Sequence, residues 1–135
     1  MLAIIGLLAA IILPAIPRAT SGPRLEAYAI DVAAMLTQDR NAAVRSRTQV
    51  ATQVDAPARL IVSGATGRVL RLPNDVAVDA QLAARCGDRP NGPTIRFFPS
   101  GTSCGGTIVL RRPGTGYQVG VNWLTGGVEV VADTH

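Results

Sequence analysis

The chain has 135 residues, thirteen basic and nine acidic side chains, a formal charge of +4, and only 4% aromatic residues. That length holds one domain with a real core rather than two, and the core must come from Val, Ile, Leu and Ala. Every cation is Arg, and no basic block with interleaved aromatics gives a nucleic-acid footprint; Arg45-Ser-Arg47 and Arg111-Arg112 read as solvated faces rather than a phosphate cradle.

The first sixteen residues, Met1 to Ile16, carry no charge and no strongly polar side chain; the first charge is Arg18. Such a segment must enter lipid, pack against copies of itself, or be removed. As a helix it would reach roughly 25 Å at about 1.5 Å per residue, short of the ~30 Å hydrocarbon core. Pro14 bends it near its end. A cleavable signal lacks its basic leading region here, and an ordinary anchor would be longer. The reading preferred from the rest of the chain is a frame that opens inside a longer apolar helix.

Pro14, Pro17 and Thr20-Ser-Gly-Pro23 make a joint rich in helix breakers. From Leu25 to about Thr48 the apolar residues Leu25, Tyr28, Val32, Met35, Leu36, Ala43 and Val44 recur at helical spacing, predicting one buried stripe. Glu26, Asp31, Asp39, Arg40, Arg45 and Arg47 are expected mostly away from it. Pro23 suits a first helical turn, and acid early with Arg late suits the helix dipole.

After Thr48 the period falls to two. Strands are expected over residues 49–55, 58–63 and 68–72, with Gly64 to Gly67 as a turn. Residues 73–93 read as mostly loop. Further strands follow over 94–98, 107–112, 117–123 and 128–131, the middle two forming a hairpin across Pro113 to Gly116, with Tyr117, Val119, Val121 and Trp123 on one face. One helix followed by antiparallel strands is an α+β layout.

Catalytic groupings are missing from the pattern. The single histidine, His135, is terminal, so a nucleophilic triad would hang on a frayed end. Asp75 and Asp79 stand four apart in an irregular stretch and read as solubilising rather than as an acid/base pair. The glycines of 101–106 and 114–116 open no helix and precede no Lys, so they are turn and bulge glycines rather than a phosphate loop. Cys86 and Cys104 are too few for a zinc site. In an exported body they read as a disulfide, with two buried free thiols as the alternative.

Two stretches then resemble a known family. Ala3-Ile-Ile-Gly-Leu-Leu-Ala-Ala-Ile-Ile-Leu-Pro14 is similar to the second half of the N-terminal helix of type IV pilins and type II secretion pseudopilins. There a basic leader ending in Gly, then Phe-Thr-Leu-x-Glu, precedes such a run. Aligned so, Met1 falls inside the mature helix, and the missing turns would extend the segment to about 24 residues, enough to span. Residues 95–110 and 117–128 resemble the C-terminal half of the GspH/FimT group of minor pseudopilins and pilins, through Phe97, Pro99, Gly101, Gly105, Gly106, Trp123, Thr125 and Gly126. Asp39 to Arg47 is similar to the group's Ala-Arg-x-x-Ala helix end.

The resemblance implies a pilin-like α+β fold. Residues 1–17 would be the apolar helix, 18–24 a joint where it breaks or continues, and 25–135 a periplasmic GspH-like domain with its helix over about 25–48 and strands over 49–131. It implies a structural minor pseudopilin that supports export of folded proteins across the outer membrane, without catalytic residues, metal or cofactor. Leu2, Ile5, Leu8, Ala9, Ile12 and Pro14 would pack in the inner membrane and then in the filament core. Partners would be other pseudopilins or pilins, the inner membrane, and secreted proteins as further candidates. Two rivals stand beside it: a FimT-like type IV pilus minor pilin acting in assembly or DNA uptake, and a membrane-anchored periplasmic β-domain outside any filament. Gly127 replaces the group's usual Arg, and the tail beyond Thr125 has no Arg while carrying Glu129 and Asp133, so nucleic acid is not an expected partner.

Overall fold

The computed structural model describes residues 21–133. The expected packing positions Leu2, Ile5, Leu8, Ala9, Ile12 and Pro14 lie outside the described residues. The helix α1 runs Gly22–Ser46. Ser21 is extended (φ −77°, ψ 166°) and its Oγ accepts from the amide of Arg24 at 3.3 Å, a serine N-cap with Pro23 in the first turn. Arg47 closes the helix in the left-handed region (φ 57°), and Arg45 in the last turn meets the negative end of the dipole.

Leu25, Ala29, Val32, Met35, Leu36 and Ala43 are buried, and Tyr28 is half-buried, so most of the expected stripe faces the core. Val44 departs from it at 42% exposed. Ala43 already faces inward, and each further residue turns about 100° around the axis. Asp39 departs in the opposite direction: it is fully buried, where a charged side chain was expected to face water.

Ten strands follow: β1 (Val50–Asp55), β2 (Leu60–Val62), β3 (Val69–Arg71), β4 (Ala77–Leu82), β5 (Arg85–Cys86), β6 (Arg89–Pro90), β7 (Thr94–Phe97), β8 (Gly106–Arg112), β9 (Thr115–Val121) and β10 (Val128–Ala132). They form two four-stranded antiparallel sheets, ordered β3-β2-β1-β7 and β10-β9-β8-β4, plus the small β5-β6 ribbon. The helix packs on β1 and β7 of the first sheet and on β8, β9 and β10 of the second. The core therefore lies between one helix face and the inner faces of both sheets, with Phe97, Leu25, Leu36, Ile61, Ile95 and Ile108 wholly inside.

Two expectations need correction. Residues 73–93 are not mostly loop, because β4 occupies Ala77–Leu82 and pairs with β8 along its length. Its Ala, Asp and Gln residues are weak strand formers, but Val78, Ala80 and Leu82 alternate inward against the core, which suffices for an edge strand. Trp123 does not share the face of Val119 and Val121, since β9 ends at Val121 and the indole sits in the following turn. The β8-β9 hairpin is tighter than expected: Arg112 pairs with Thr115, leaving Pro113 and Gly114 (φ 80°) as the turn.

Asp39 fastens the helix to the first sheet. Its carboxylate accepts from Thr52 Oγ1 and Ser63 Oγ at 2.6 Å each, and from the amides of Gly64 at 2.9 Å and Ala65 at 3.3 Å. Thr52 is on β1, and Ser63 to Ala65 follow β2, so one side chain gathers two strands and a turn. Gly64 is needed there, because a Cβ would run into the Ala51 backbone. On the other side of the helix, the Tyr117 hydroxyl donates to Glu26 Oε2 at 3.2 Å, linking β9 to the first helical turns.

Removing the carboxylate leaves two hydroxyls and two amides facing each other without acceptors, so Asp39→Ala is expected to destabilise the fold by about 3–5 kcal/mol. Asp39→Asn retains one acceptor but turns an NH₂ toward donors, and should recover only part of that loss. Urea unfolding of the three chains measures both. Partial burial, then the hydrogen bond to Glu26 and its charge, hold the Tyr117 phenol above its ordinary value of 10.0. A raised folded value means this stabilisation is complete below the unfolded phenol range and disappears as pH rises through the folded value. In a Tyr28→Phe background, the alkaline absorbance titration should shift downward when Glu26 is changed to Gln.

Candidate functional site

The residues carrying the family-like motif divide between the core and one pole of the molecule. Phe97 is buried at the end of β7, while Pro99 and Gly101 lie in the loop that follows it. This loop closes on itself through Gly101 N to Phe98 O at 2.8 Å and Phe98 N to Thr102 O at 2.9 Å. Thr125 and Gly126 belong to the β9-β10 turn. Arg40, one residue past the buried Asp39, joins the two: its Nε donates to Gly101 O at 3.1 Å and to Thr125 O at 3.2 Å. Gly126 (φ 71°) accommodates this convergence, because a Cβ would collide with the Gly101 carbonyl and the Arg40 side chain.

The turn from Asn122 to Gly127 is held at every position. Asn122 Oδ1 accepts from the amides of Leu124 at 2.8 Å and Thr125 at 3.2 Å, an Asx turn. Gly126 N donates to Asn122 O at 2.7 Å, Asn122 N to Gly127 O at 2.9 Å, and Ser103 N to Trp123 O at 3.0 Å. Against this fixed backbone the side chains of Trp123 and Leu124 point out, 66% and 60% exposed. Arg40 also lines an open groove of about 710 Å³, together with Gln38, Asn41, Ala42, Val44, Arg45, Ala65, Thr66 and Ser100.

Gly105 and Gly106 lead from this pole into β8, next to the cystine. Cys86 of β5 and Cys104 are joined, with Cα atoms 5.7 Å apart and a sequence separation of 18. The open alternative of two free thiols is thereby resolved. In the chain-entropy view a bridge over such a loop stabilises by about 3 kcal/mol. At the base of the same excursion the buried Asn91 donates through Nδ2 to Ala83 O and Thr94 O, and its Oδ1 accepts from Arg96 Nε at 3.0 Å.

The remaining candidates are structural. Asp75 lies 3.6 Å from Arg112 Nε, Asp79 accepts from the amide of Ala80 at 2.9 Å, and Arg111 pairs with Asp133 at 2.8 Å. Asp75 and Asp79 are thus not brought together as an acid/base pair, and Arg111-Arg112 is occupied by carboxylates. Among the described residues no group of three or more His, Cys, Asp or Glu side chains could hold a metal.

This arrangement of one helix and two antiparallel sheets has counterparts. The family model of the type II transport protein GspH matches residues 29–126. The chain belongs to the GspH family. This is a family of structural, non-enzymatic pseudopilins. Among solved structures, the GspH-family chain is similar to the minor pseudopilin EpsH of the type II secretion system of Vibrio cholerae, at 14% identity and TM-score 0.62, over 80% of this chain and 96% of that one. It is equally similar to the type IV minor pilin FimU of Pseudomonas aeruginosa, at 18% identity and TM-score 0.62, over 82% and 93% of the two chains. At those identities the likeness shows the shared pilin-like fold. No curated protein is significantly similar in sequence.

Sequence reasoning missed Arg40 and Asn122 as organisers of the pole. Asn122 carries a legible signal, since Asn before Thr-Gly-Gly favours an Asx turn. Arg40 carries none, because the carbonyls it binds come from loops 61 and 85 residues away. A pair of alanine substitutions isolates the close approach. Gly114→Ala meets open space and only the strain of its positive φ, about 1 kcal/mol, whereas Gly126→Ala adds the collision with Gly101 and Arg40 and should cost about 3 kcal/mol or more. The difference between their thermal midpoints measures that contact.

Proposed function

We propose that this GspH-family chain is a structural minor pseudopilin of a type II secretion pseudopilus, supporting export of folded proteins across the outer membrane. The observation that carries the reading is the family match over residues 29–126, nearly three quarters of the chain. In this reading residues 1–17 anchor the chain in the inner membrane by a single pass and hold the 25–135 head in the periplasm. Leu2, Ile5, Leu8, Ala9 and Ile12, with small residues among them, then exchange lipid contacts for close helix packing in the filament at low cost. Other pseudopilins are its neighbours, with secreted proteins as further contacts. An oxidising periplasm agrees with the cystine between Cys86 and Cys104.

A second reading, a minor pilin of a type IV pilus, draws on the equal TM-score of 0.62 to FimU. Its DNA-binding form has little support in the charges: Arg111 is paired with Asp133 and Arg112 lies against Asp75, and the tail beyond Thr125 contributes acids only. Deletion of the gene in its own host separates the two. Loss of folded proteins from the medium with surface motility intact is the expected result. Lost motility with normal secretion would assign the chain to a pilus. Duplex-DNA binding that weakens steeply with salt would point to uptake, and none is expected.

A further inference from the structure

We infer that the pole formed by Trp123, Leu124 and the Arg40/Arg45 groove is a docking site for a folded protein that presents an apolar pocket rimmed by carboxylates. Three observations support it. The two largest exposed apolar side chains of the β9-β10 turn are adjacent, and the indole is the chain's single Trp. Large aromatic anchors dominate the energetics of protein interfaces. Their backbone is already immobilised by the Asn122 turn, the Ser103 amide and Arg40, so binding has little ordering entropy left to overcome.

The charge beside the anchor sets the partner's chemistry. The groove contains Arg40 and Arg45 and, among the described residues that line it, no carboxylate. The nearest acid in sequence, Asp39, is turned inward with both oxygens engaged. Arg40, whose Nε binds the carbonyl of Thr125 next to Leu124, sets this basic groove against the anchor's turn, so a partner that covers both gains from Asp or Glu of its own.

Location favours a protein over a lipid surface. Arg40, which holds the turn, stands eighteen residues beyond Gly22 on one helix, roughly 27 Å at 1.5 Å per residue. The apolar segment 1–17 precedes Ser21 in sequence, so the anchor lies toward the opposite end of the helix from it. This last point rests on the filament-subunit reading; the anchor and the basic groove do not.

The test places benzoylphenylalanine at Leu124 of the full chain and irradiates it in the native cell envelope. Expected are adducts to a folded protein partner, mapped to an apolar patch that contains Asp or Glu. In that background Trp123→Ala should reduce the yield about tenfold and Arg45→Glu about fivefold, with Arg45→Gln in between. Thermal midpoints of the head should stay close to the parent, which separates lost docking from lost folding. A pilin-like partner supports the proposal and the filament reading together, whereas a secreted or other folded protein with such a patch supports the proposal alone. Lipid adducts, adducts between copies of this chain, yields indifferent to the charge at residue 45, or no adduct at all would each overturn the proposal.

Discussion

A carboxylate with no access to water holds the helix in register with the first sheet. Burying such a group is unfavourable unless its hydrogen-bonding capacity is met. Asp39 meets it with two short hydroxyl bonds and two amide bonds, drawn from β1 and from the turn after β2. The bonds fix both the rotation and the position of α1. An apolar residue there would fill space but would tolerate sliding. The next side chain, Arg40, leaves the helix in a different direction and takes the carbonyls of Gly101 and Thr125. Two consecutive residues thus connect one helical turn to strands and turns from both sheets.

The sheets are interleaved rather than stacked in sequence. The chain leaves the first sheet after β3, builds β4 in the second, returns for β7 beside β1, and leaves again for β8. Each crossing needs a fixed corner. The cystine and Asn91 hold the excursion between β4 and β7, and the Ser103 hydroxyl, donating to Arg96 O at 2.6 Å while accepting from the Gly105 amide at 3.0 Å, holds the corner between β7 and β8. These corners use polar groups and glycines because the backbone there has no strand partner to satisfy it.

Much of this was legible in the residue pattern, where local periodicity decides structure. The helical stripe, the strands around Val50 to Asp55 and the β8-β9 hairpin follow from spacing alone. The failures occur where long-range chemistry overrides residue type. Asp39 sits on the stripe by position, four after Met35 and four before Ala43, but its charge argued for the surface. β4 has a poor strand composition and is stabilised by its pairing with β8. Arg59 adopts φ 57° with no glycine to announce the turn, steadied by its Nε donating to Val76 O at 2.8 Å. At the pole, the glycines were visible as turn formers and Asn122 was read as part of a strand, but nothing local disclosed that two distant turns meet on one arginine.

The order in which the helix finds its partners has a consequence for biogenesis. The face from Leu25 to Ala43 is covered in part by β9 and β10, which follow every other described strand in the chain and so emerge after them during synthesis. Until β9 and β10 arrive, part of the helix's apolar ridge lies uncovered and the second sheet lacks two of its four strands. Newly made chains therefore pass through a vulnerable interval that ends only when the β9-β10 hairpin closes over the helix.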